Sequence, residues 1–198
     1  MRAWSAIAAA VALAACSTQA EREVARMNRA TDPALAEMNA CSARAEASGP
    51  FRQLKPKLPP TDGSPTAPAL LADTSRPTAS EAALLVELHV GYITPCRRLV
   101  VDRLATINPA FAAVAADSFA ESDSAFTRLV RREESWGAYA QGTLRRRLTF
   151  AAAFDAAGEQ VNRNLAESHL LELRQRQAVA IARWEQQQQA IAGMGVPR

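Results

Sequence analysis

Proline sets the first limit on what this chain can fold into. Residues 49 to 77 carry seven of its eleven prolines, whereas from Trp136 no proline occurs until Pro197. Proline removes a backbone donor and clashes with the carbonyl four residues back, so the crowded segment is expected to run extended or polyproline-like over a surface. The proline-free segment is open to continuous helix. Within it Leu144, Leu148, Ala151, Phe154, Val161 and Leu165, then Leu173, Ala180, Trp184 and Ile191, keep a helical beat. At 1.5 Å per residue such a helix reaches about 80 Å unless it breaks near Gly158. Alanine is abundant, there are only eight glycines, and runs of alternating β-branched residues are few, so the class is all-α.

Local signals divide the rest into helices. Val24, Met27, Leu35, Met38 and Cys41 fall near one face of a first helix, and Asp32-Pro33 has the order of a cap and a first helical position. That pattern predicts a tether or short helix to Ala30 and a firmer helix from Pro33. Thr78 and Glu81 form a capping box that opens a second helix, with Ala82, Leu85, His89, Tyr92, Cys96, Leu99 and Leu104 on its apolar face and a kink at Pro95. Asn108-Pro109 opens a third, to about Arg132, burying Phe111, Val114, Phe119, Phe126 and Leu129. Ser135 caps the fourth at Trp136. The expected architecture is an elongated, mostly antiparallel four-helix bundle with a long C-terminal helix and a proline-rich crossover.

The N-terminus speaks to location. Met1-Arg2 precedes an apolar run from Ala3 to Ala15, too short for a permanent span of about 20 residues. The run ends in Leu13-Ala14-Ala15-Cys16, which resembles the lipobox of bacterial lipoproteins. The resemblance implies removal of residues 1–15, lipid (palmitate among the acyl groups) on Cys16, and, with Ser17 rather than Asp following, residence in the outer membrane facing the periplasm. It divides the chain into a signal segment 1–15, a lipidated tether and helix start 16–32, a bundle 33–192 containing the connection 49–77, and a flexible end 193–198. Cys41 and Cys96 then remain as an even pair in an oxidising compartment, and a disulfide between them is expected. Two buried free thiols, or one catalytic thiol, are the alternatives.

Composition narrows the function. The formal charge is +3, and acids are interspersed among the basic residues, which argues against nucleic acid as a partner. No phosphate loop, nucleophile elbow or dinucleotide fingerprint occurs, and neither cofactor nor metal is expected. His89, seven residues before Cys96, invites a thiol–imidazole pair or half a metal site, but further ligands are missing at any nearby spacing. His169 lies near Glu167 and Glu172 and reads as a surface residue. Asp117 and Glu121 share a helix face and read as solvated.

One constellation suggests recognition. Arg128, Arg131 and Arg132 end the third helix, and Arg145, Arg146 and Arg147 lie two turns into the fourth, with Trp136 and Tyr139 between. In an antiparallel hairpin they make a candidate partner surface, guanidinium groups for an anion and rings for a sugar or chain. The expectation is a non-enzymatic lipoprotein, held to the membrane by lipid on Cys16, that binds or scaffolds an envelope protein or glycan. An envelope-acting hydrolase or metal-dependent enzyme using Asp117 and Glu121 or His89, and a purely structural lipoprotein or periplasmic inhibitor, are the alternatives.

Overall fold

Asn108 is the only residue between two helices, and its side chain explains the junction: Oδ1 accepts the Ala110 N–H at 3.0 Å while Pro109 supplies the first helical position. Comparable local chemistry sets most element boundaries. A computed structural model describes residues 17–62 and 64–193; Cys16 with the signal segment, and the end of the chain from Met194, lie outside the described residues. Among them every regular element is helical: α1 Gln19–Glu46, α2 Gly49–Leu54, α3 Pro68–Leu71, α4 Ala79–Leu88, α5 Thr94–Ile107, α6 Pro109–Val130 and α7 Trp136–Gly193. The all-α bundle is thus observed, with two short helices added in the crossover.

The described residues form two units, one spanning Met27–Glu159 and one joining residues of Met1–Arg26 to residues of Gln160–Arg198. In the larger unit, Leu54, Leu85, Leu88, Phe126, Leu129 and Trp136 make one buried cluster. A second contains Ala34, Leu104, Ile107, Ala112 and Ala115, with Phe111, Phe119, Phe150 and Phe154 packed against it. Its alanines let helices approach closely. The Cys41–Cys96 disulfide is present with Cα atoms 5.6 Å apart, tying α1 to α5. Closing that loop of 55 residues stabilises the fold by about 4 kcal/mol on loop-closure entropy.

Three expectations are corrected. Pro33 lies inside α1 rather than at its start, and the helix already begins at Gln19. The lost hydrogen bond is offset by packing on either side, where Met27, Ala30 and Ala34 enter the alanine cluster. The proline-rich segment is not wholly extended. Ser48 Oγ accepts the Phe51 N–H at 3.3 Å, Pro50 occupies the first turn, and Leu54 reaches the core from α2. The inward stripes also shift: Val24, Leu35 and Leu148 are exposed, and Ala34 takes the buried place beside Leu35.

Other signals hold. Thr78 and Glu81 form both hydrogen bonds of the capping box, at 3.2 and 2.7 Å. Pro95 does interrupt the second helix, and the interruption takes the form of a π-helical turn, His89–Ile93, between α4 and α5. The Thr94 N–H bonds to the His89 carbonyl there. Helix α7 runs through Gly158 without a break. At its start the crossover lies against it: Trp136 N–H donates to the Ser75 carbonyl at 3.0 Å and Gly137 N–H to the Asp73 carbonyl at 2.8 Å. These bonds satisfy donors that a helix N-terminus leaves open.

Candidate functional site

In the larger unit the bundle does not close completely. A partly open cavity of about 360 Å³ lies among α1, the crossover, α4, α5, α6 and the start of α7. Leu85, Leu88, Phe51, Phe119 and Phe126 give it an apolar wall, and Cys96 of the disulfide belongs to its lining. Its volume falls at the lower end of the range of small-molecule sites, about 300–1,000 Å³. Two arginines face it, Arg97 and Arg147.

These arginines differ in their partners. Arg97 is ion-paired with Asp123 and lies over the Phe119 ring, 5.1 Å from its centroid. Its charge is therefore largely matched. Arg147 is half-buried and has no carboxylate partner among the described residues. Glu46, also on the lining, accepts a hydrogen bond from Thr61 Oγ1 at 2.6 Å. Tyr139 and Thr143 complete the α7 wall. Burial pushes the Tyr139 phenol above its ordinary value, against the opposing pull of Arg146 and Arg97. An unmatched guanidinium at the edge of an apolar cavity favours a ligand with an apolar body and an anionic group.

The expected arginine and aromatic surface is taken apart by the fold. Trp136 is fully buried in the core and offers no platform, because its ring fills the space between α2, α4 and α6. Tyr139 packs beside it, with the Arg146 guanidinium 5.6 Å from its ring centroid. Arg146 also donates to Thr143 Oγ1 at 2.9 Å. Arg128, Arg131, Arg132 and Arg145 are exposed, and Arg128 approaches Glu134 at 3.5 Å. Arg131 and Arg132 serve the helix end: Arg132 adopts φ 61°, its N–H bonds to the Leu129 carbonyl, and the Glu133 N–H bonds to that of Arg128. This is a Schellman closure with arginine at the position glycine usually takes. Of the six arginines only Arg147 lines the cavity.

His89 does not pair with Cys96, whose sulfur is in the disulfide. Its ring stacks on Phe126 with centroids 4.4 Å apart, and Nε2 lies 3.5 Å from Asp123 Oδ1. Burial holds the imidazole below its ordinary pKa; Asp123 pulls the other way and Arg97 adds to the lowering. Asp117 and Glu121 are both exposed. No group of three metal-ligating side chains occurs among the described residues.

The smaller unit holds a cluster that the sequence reading missed. Thr18 is buried and caps α1 in a box with Glu21: its Oγ1 accepts the Glu21 N–H at 3.2 Å, and its N–H donates to Glu21 Oε2 at 2.7 Å. His169 Nδ1 lies 3.0 Å from Thr18 Oγ1, Glu172 accepts the Gln19 N–H at 2.5 Å, and Arg176 donates to the Ser17 carbonyl at 2.9 Å. The Gln19 N–H bond holds the Glu172 carboxyl below the usual carboxylate range, with Arg176 adding to the effect. His169 is thus a clasp residue rather than a bare surface one. The T-x-x-E spacing from Thr18 to Glu21 was the available signal.

No protein-family model matches the chain, and no curated protein or solved structure matches it.

Proposed function

We propose that the protein is a non-enzymatic lipoprotein of the bacterial envelope, lipid-anchored at Cys16 to the outer membrane and facing the periplasm. Its bundle binds an envelope component through the cavity of the larger unit. The ligand carries an apolar portion, such as an acyl chain, and an acidic group that meets Arg147. The observation that supports this reading is the pairing of an apolar wall with one unmatched guanidinium. A glycan fits less well, since apolar side chains make up most of the wall.

The test uses an anionic naphthalene dye and dodecanoate as probes on the mature, oxidised protein. Dye emission should rise saturably and fall when dodecanoate displaces it. A charge-assisted hydrogen bond contributes about 1.5–3 kcal/mol, so Arg147→Ala should weaken binding roughly 10- to 100-fold. Arg145→Ala, on the exposed side of the same helix, should leave it unchanged. Equal affinity in wild type and Arg147→Ala would remove the proposed role of the cavity.

A further inference from the structure

The C-terminal part of α7 leaves a long apolar stripe uncovered. Leu170, Leu173, Ile181, Trp184 and Ile191 are all exposed, and their spacing sets them on one side of the helix. Trp184, the largest of them, keeps 61% of its surface accessible. From Leu170 to Ile191 the stripe extends about 32 Å at helical rise. Exposed Arg174 borders it on one side and exposed Arg183 on the other, with Glu185 the only acid beyond the clasp.

The clasp fixes what lies beside this stripe. Arg176, one turn past Glu172 on the same helix, binds the Ser17 carbonyl and the Glu172 carboxylate. Ser17 is one peptide bond from Cys16, and consecutive Cα atoms are about 3.8 Å apart. Acyl chains on Cys16 would therefore start within a few residues' reach of Leu173, with a capped helix in place of a slack tether. This inference rests on the lipid-anchor reading of Cys16.

We infer that the Leu170–Ile191 stripe lies in the headgroup boundary of the anionic bilayer that holds the Cys16 lipid, so that α7 is a second, interfacial membrane contact. Leucine, isoleucine and tryptophan on one side with arginine at the margins is the pattern of a helix lying in that boundary. Anionic headgroups accept the arginines on both margins. A second copy of the chain fits poorly by comparison. Gln177 and Gln188 interrupt the seam, and two such helices side by side would bring Arg174, Arg176 and Arg183 against one another.

The protein supplies its own reporter. Trp4 is lost with the signal segment and Trp136 is fully buried, so Trp184 is the tryptophan that lipid can reach. Lipidated protein is reconstituted in vesicles of phosphatidylethanolamine and phosphatidylglycerol bearing brominated acyl chains, and intact mass is recorded on the same sample. With Cys16 acylated, bromine should quench at least half of the Trp184 emission. Trp184→Phe should abolish the quenching, and Leu173→Glu with Ile181→Glu, both at exposed positions, should cut it several-fold. Acylated protein whose Trp184 stays unquenched and open to iodide overturns the inference and leaves the lipoprotein reading intact. Trp184 shielded from iodide but not quenched, in proportion to protein density, overturns it in favour of a second copy. An unacylated mass overturns both.

Discussion

Replacing Gly137 with alanine should destabilise the protein even though Gly137 stands in the first turn of a long helix. A Cβ at this position would lie 2.6 Å from the Leu71 carbonyl oxygen and 2.7 Å from that of Asp73, closer than the 3.0 Å that real Cβ atoms keep. Both obstacles are backbone, so the crossover must retreat. Retreat stretches the Gly137 N–H bond to Asp73 and the Trp136 N–H bond to Ser75. Each contributes a net of about 1 kcal/mol, and overpacking of this kind costs about 1–3 kcal/mol. Alanine's greater helix propensity returns about 1 kcal/mol. The sum is a loss of about 2–4 kcal/mol. Urea unfolding of the oxidised protein, followed by Trp136 emission in a Trp4→Phe, Trp184→Phe background, reads it as a lower midpoint at constant slope. Gly158→Ala is the control: its nearest neighbour is Phe111 Cε1 at 3.9 Å, so the same substitution should stabilise by about 0.5–1 kcal/mol. If Gly137→Ala were as stabilising as Gly158→Ala, the docking of the crossover onto α7 would be refuted.

Arg132→Gly should stabilise by about 0.5–1 kcal/mol, because a left-handed residue other than glycine carries steric cost at φ 61°; a thermal midpoint that falls would contradict the Schellman assignment. Reducing the Cys41–Cys96 bond should cost about 4 kcal/mol, measured as the difference between urea curves with and without reductant; a loss below about 1 kcal/mol would mean the unfolded chain is already constrained. The Asp73 carboxyl is held at about 2, chiefly by the Lys57 ammonium and then by Ser75. A folded pKa below the ordinary 3.8 means that its contribution is present above pH 4 and fades as pH falls towards 2. Carboxyl titration by NMR should show this, and Lys57→Met should move the Asp73 midpoint upward; an unmoved midpoint would remove Lys57 as the cause.

Local chemistry was legible in the sequence and tertiary choice was not. The caps at Thr78, Asn108 and Ser135 and the cysteine pairing could be read because each depends on a few atoms or on redox chemistry. Pro33 was misplaced because packing around Met27 and Ala34 outweighs one missing hydrogen bond. Leu35 and Leu148 were read onto the apolar face from their helical spacing, yet an alanine-rich interface selects Ala34 and leaves the larger side chains in solvent. The cavity was invisible since its wall comes from five helices and the crossover, and Arg97 stands in it only because the π-helical turn and Pro95 set the start of α5. Trp136, read as a surface ring, is core for the same reason: nothing local to it announces the helices that cover it.

The crossover also makes the protein chemically addressable at one place. Lys55 and Lys57 are the only lysines in the chain, and both fall inside the ring closed by Cys41–Cys96. Lys57 is engaged with Asp73, whereas Lys55 is exposed. Where the terminal amine is blocked, an amine-reactive dye or crosslinker should attach first at Lys55. A lysine-specific protease, by the same token, should nick the ring without separating the pieces until reductant is added.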